Sequence, residues 1–92
     1  MNKSQKNKIA AEMLKAIAHP IRISIVELLA NSAQMNVTEI FNALEIKQAI
    51  ASHQLNTLKH RGVLNSERKG KETYYSIKHN NIITAVNLLL KI

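Results

Sequence analysis

The most constraining feature of this sequence is a change of period at Gly62. Between residues 36 and 61 the apolar residues recur at helical spacing, and beyond Gly62 two short strand-like runs take over. Asn36-Val37-Thr38-Glu39 reads as a helix start, with Asn36 able to cap and Glu39 in the capping-box position three residues on. That helix ends near Leu44. Glu45-Ile46-Lys47 makes a tight connection to a second helix over residues 48–61, whose inward stripe is Ala51, Leu55 and Leu58. Gly62 supplies a left-handed stop. Residues 63–68 and 73–78 read as strands around a hairpin tip at Lys69-Gly70-Lys71. Two helices joined by three residues and followed by a hairpin describe a winged helix-turn-helix.

The flanks fit the same reading. Residues 5–18 carry Ile9, Met13, Leu14 and Ile17 at amphipathic spacing. His19-Pro20 interrupts, and proline suits the first turn of a new helix over residues 21–31. Asn80 can cap a last helix over residues 81–91. The expected fold is therefore mainly α with a small β-hairpin: four helices, the hairpin, and a final helix. Ninety-two residues suffice for one small domain, here residues 1–92, and are too few for two. Only two glycines and one proline are present, as suits a mostly helical chain.

Charge narrows the partners. Thirteen Lys and Arg against six acidic residues give a net charge of +7, which favours a polyanion. The outer face of helix 48–61 offers Gln48, Ala49, Ser52, His53 and Asn56, none of them acidic. Such small polar side chains fit the major groove, where Gln and Asn can bond adenine edges and Ala can touch a thymine methyl. These five are the expected base-reading residues. Lys47, Lys59, Arg68, Lys69 and Lys71 are the expected contacts to the DNA backbone, setting register and affinity without carrying sequence information. Lys47 stands where Ser or Thr is the commoner cap, which leaves the start of that helix to phosphate or water.

The chain resembles the ArsR/SmtB family of bacterial metalloregulators and their relatives. Residues 14–23, Leu-Lys-Ala-Ile-Ala-His-Pro-Ile-Arg-Ile, are similar to the family's opening Leu-x-x-Leu-x-x-Pro-x-Arg-x-x-Ile pattern. Val37-Thr38-Glu39-Ile40 resembles the start of its first motif helix. Residues 48–55, Gln-Ala-Ile-Ala-Ser-His-Gln-Leu, resemble its Gln-x-x-x-Ser-x-x-Leu recognition helix. Gly62-Val63-Leu64 and Tyr74-Tyr75-Ser76-Ile77 resemble segments of its wing, residues 63–78 here. The resemblance implies a homodimeric repressor on a palindromic operator, paired through its first and last helices. The last helix supports this on its own account, because Ile82, Ile83, Val86, Leu88, Leu89, Leu90 and Ile92 wrap more than one face. The expected dimer interface is Ile9, Met13, Ile17, Ile83, Val86, Leu89 and Leu90.

The sensing half of the family pattern has no carrier. There is no cysteine, so thiolate metal sites, disulfides and thiol redox sensing are excluded. The resemblance places the family's Cys-Val-Cys motif at Asn36, Val37 and Thr38, and a second family site near His79 and Asn81. His53 and His60, seven apart on one helix, lie about 10 Å apart along its axis, too far to share a zinc ion. No metal and no cofactor are therefore expected; an organic inducer at the dimer interface and no inducer at all are both left open by the residues. No apolar run approaches the ~20 residues that span a bilayer, and residues 1–8 lack a signal peptide's apolar stretch. The expected location is the cytoplasm, with no membrane partner. No nucleophile paired with a base and no glycine-rich phosphate loop is present, so an enzyme is not expected. A winged-helix module that binds protein without binding DNA stands as the alternative.

Overall fold

The computed structural model describes all 92 residues. Asn2 opens the first helix: its side chain accepts the Gln5 N–H at 2.8 Å while Gln5 Oε1 accepts the Asn2 N–H at 2.9 Å. This reciprocal cap starts α1 (Lys3–Ile17) two residues ahead of the expected position. His19 Nδ1 accepts the Ile21 N–H at 3.2 Å, and Pro20 takes the first position of α2 (Pro20–Ala30).

A two-residue strand, β1 (Met35–Asn36), follows and pairs antiparallel with Tyr75 and Tyr74. No sequence signal marks this strand, since two residues cannot show alternation. Asn36 also caps α3 (Val37–Leu44). It accepts the Glu39 N–H at 2.8 Å and donates its own N–H to Glu39 Oε1 at 2.9 Å, the capping box read from the sequence.

Next comes α4 (Gln48–His60), ended by Gly62 at φ 81°. The Gly62 N–H bonds the Lys59 carbonyl and the Val63 N–H reaches back to that of Leu58, the two bonds of a Schellman closure.

The chain then forms β2 (Leu64–Lys69) and β3 (Glu72–Ile77) in a sheet ordered β1-β3-β2. The hairpin is tighter than the three-residue tip read from sequence. Lys69 stays in the ladder opposite Glu72, so the turn is Gly70-Lys71 alone. Gly70 sits at φ 63°, as the first position of a type II′ turn requires.

The last helix, α5, is Asn80–Leu89. Here the expected cap is corrected. His79 holds the extended capping position without a side-chain bond, Asn80 is already helical, and the helix stops short of Lys91.

α2 lies at the centre and touches α1, α3, α4, α5 and β3. Ile25, Val26 and Leu29 from α2 meet Ile40 of α3, Leu55 and Leu58 of α4, Val63, Leu64, and Ile82 and Val86 of α5. Each fully buried aliphatic side chain is worth about 1.5–3 kcal/mol over an exposed one. One continuous core therefore fixes both helices of the α3–α4 pair against the wing. No helix is long and apolar enough to cross a membrane.

Candidate nucleic-acid interface

Helix α4 has two chemically opposite faces. Ala51, Leu55 and Leu58 are fully buried, as the stripe predicted. Gln48, Ala49, Ser52, His53 and Asn56 are all exposed, at positions that follow one another along the outer surface. Burial of the inner face orients the outer one, so these five side chains are presented together on a helix of 13 residues. At its start Lys47 makes no side-chain cap bond, leaving the first amides of α4 and its positive dipole end for an outside acceptor.

The cations read from sequence are also exposed: Lys47 and Lys59 at the two ends of α4, and Arg68, Lys69 and Lys71 on the wing. The wing sorts its three. Arg68 Nε donates to the Gly70 carbonyl at 3.0 Å, which braces the turn. Lys69 Nζ lies 5.3 Å from the ring centre of Tyr74, two residue pairs along the ladder on β3. Lys71 occupies the turn itself. Arg61 is directed elsewhere, with Nη1 3.9 Å from the Glu12 carboxylate on α1.

The sequence reading missed one polar pair. Gln54 is the only polar residue among the buried ones, and its Oε1 accepts a hydrogen bond from Arg22 Nε at 2.7 Å. The signal was available: residue 54 falls on the same inward stripe as 51, 55 and 58, and a buried amide requires a partner.

At the first of the family's metal positions the side chains have structural duties, Val37 packing against the core. Asn36 is occupied by its capping box, and no three His, Cys, Asp or Glu side chains converge to hold an ion.

The residues expected to pair two copies fall into two groups. Ile9, Leu89 and Leu90 are exposed, and Met13 and Ile83 are half-buried. Ile17 and Val86 are only 7% and 3% exposed and belong to the core of this chain. They sit at the edge of that core, lining a cleft of about 320 Å³ with Leu14, Ala18, Ile23, Leu89 and Leu90. Leu14 and Leu88, outside the expected set, are 55% and 62% exposed.

The sequence model of the arsR family of bacterial regulatory proteins matches residues 19–66, just over half of the 92. This stretch runs from the cap of α2 into β2. The transcriptional repressor PagR of Bacillus anthracis is 38% identical over 79 residues, which cover 86% of this chain and 79% of PagR. The crystal structure of PagR superposes with a TM-score of 0.86, covering 95% of this chain and 99% of that one at 34% identity. A homodimeric winged helix-turn-helix DNA-binding domain from Mycobacterium bovis, a possible ArsR-family transcriptional regulator, has a TM-score of 0.82 at 28% identity. It covers 97% of this chain and 82% of that one. The fold, the exposed polar face of α4 and these similarities agree: the chain is a winged helix-turn-helix DNA-binding transcriptional regulator, not an enzyme, and belongs to the arsR family of bacterial regulatory proteins.

Proposed function

We propose that the chain acts as a homodimeric repressor on an inverted-repeat operator. In this reading each copy lays α4 in a major groove and rests its wing on the flanking phosphates. The observation that carries it is the division of α4 into a fully buried apolar face and an exposed face of Gln48, Ala49, Ser52, His53 and Asn56. Side chains of this size fit a groove about 12 Å wide and can bond base edges directly. Lys47, Lys59, Arg68, Lys69 and Lys71 serve the phosphate backbone. Residues 1–92 function as one domain in the cytoplasm, with double-stranded DNA and a second copy as partners and no role for a membrane.

Pairing through α1 and α5 draws support from the apolar cleft between them, from the exposed Leu14, Leu89 and Leu90 that line it, and from Leu88, exposed on the same helix. A similar domain from Mycobacterium bovis is itself homodimeric, and the similar PagR is a repressor. No inducer is assigned to this chain.

Selection of bound sequences from random duplex DNA tests the proposal. The expected outcome is an enriched inverted repeat whose half-sites lie about one helical turn apart, or a multiple of that. Retention of duplex without any enriched sequence would overturn base reading by α4. A monomer that retains no duplex at low salt would favour a protein-binding module instead.

A further inference from the structure

We infer that Arg22 is a positioning residue for the recognition helix, holding α4 at the angle from which its outer face meets the bases. The inference rests on the reading of that face proposed above. Arg22 projects from the first turn of the central helix α2 and is half-buried. Its Nε donates to Gln54 Oε1 at 2.7 Å, and its Nη1 donates to the Ala16 carbonyl at 3.1 Å. Ala16 lies in the last turn of α1, where helix carbonyls lack an intrahelical partner and the dipole is negative. One guanidinium thus joins three helices, and these two bonds aim it at protein rather than at a phosphate.

The geometry explains why α4 needs such a bond. Its other inward contacts, through Ala51, Leu55 and Leu58, are apolar and non-directional. They set which face of α4 points outward, and a bond of defined direction fixes its rotation more finely. Gln54 is only 9% exposed and lies between the outward Ser52 and His53 on one side and Asn56 on the other. A helix with its side chains is about 10–12 Å across, so a turn of roughly 10° moves its outer atoms by about 1 Å. A hydrogen bond to a base edge tolerates about half that displacement. Attraction between lysines and phosphates is hardly changed by it. Loss of the Arg22–Gln54 bond should therefore erode sequence reading and spare non-specific binding.

The experiment measures affinity for a duplex recovered by selection and for a scrambled duplex of equal length, each across a salt series. Arg22→Lys keeps the charge but loses the fork, and Gln54→Leu removes the acceptor at similar volume. Each is expected to lower the ratio of specific to scrambled affinity about tenfold, with the double variant losing no more than either alone. The slope of affinity against salt should stay as in the unsubstituted protein, because no phosphate contact is removed. Gln48→Ala, which alters a base-reading side chain, is measured alongside. If it lowers the ratio while both single variants leave it unchanged, the positioning role is overturned and the reading of α4 stands. If it too leaves the ratio unchanged, the reading fails and the inference fails with it. A shallower salt slope in Arg22→Lys, with both duplexes weakened alike, would make Arg22 a phosphate contact instead. Should Arg22→Lys unfold, Gln54→Leu decides by the same ratio.

Discussion

At the residue scale, α3 and α4 end with the same hydrogen-bond pattern on different side chains. The Glu45 N–H bonds the Asn42 carbonyl and the Ile46 N–H that of Phe41, just as Gly62 and Val63 close α4. Glu45 sits at φ 55°, a left-handed conformation that the Cβ of an L-residue resists. Substitutions at the two positions should therefore move stability in opposite directions. A Cβ at Gly62 would meet no atom within 4 Å, so Gly62→Ala carries backbone strain alone and should cost about 1–2 kcal/mol. Glu45→Gly relieves comparable strain, partly offset by a freer unfolded chain, and should gain about 0.5 kcal/mol. Urea unfolding of both variants checks the signs, and equal shifts in one direction would refute this account. Gly62 announced its conformation in the sequence because glycine is the residue such a stop prefers. Glu45 did not, because nothing about a glutamate reports a positive φ imposed by the helix on either side of it.

At the scale of elements, the proposed function gives α4 and the wing different work. If about six phosphates are neutralised per dimer, affinity should fall with salt at a log–log slope of roughly −5. Lys71 occupies the exposed turn of the wing, clear of the Arg68 and Lys69 contacts. Lys71→Ala should weaken specific and scrambled duplexes alike and make the slope shallower by about 2, one contact for each copy. A loss confined to the specific duplex would give the wing a role in reading bases. The helix pair was legible because its stripe, its capping box and its glycine stop are each local signals that agree. β1 was not, because its two residues acquire strand character only from Tyr74 and Tyr75, some forty positions away. The cap of α5 falls one residue before the expected Asn80 for a related reason: Asn80 has the right side chain, but His79 has the extended backbone that a capping position needs.

At the scale of the whole molecule, the apolar excess of the last helix points to a partner from the amino-acid sequence alone. What it does not reveal is which apolar residues this chain keeps for itself. Ile17 and Val86 are drawn into the core from the inner sides of α1 and α5, while Leu14, Leu88 and Leu89 remain outside. Helical spacing gives a face but not the point at which one molecule's packing ends. Leu89 is 65% exposed, so Leu89→Lys should leave the fold intact while placing two charges in the proposed interface. Light scattering should then find monomers where the unsubstituted protein forms dimers, with unchanged helical content by circular dichroism. A dimer that survives this change would place the interface elsewhere. The sheet raises one more matter at this scale. β2 is the longer of its two outer strands, and a strand with a free side invites pairing with any other extended chain. The distal half of β2 reads Glu67-Arg68-Lys69, all exposed. Charges of mixed sign along that border discourage a second wing from adding to it edge to edge. Cations proposed to serve phosphate would thus also guard this border against aggregation.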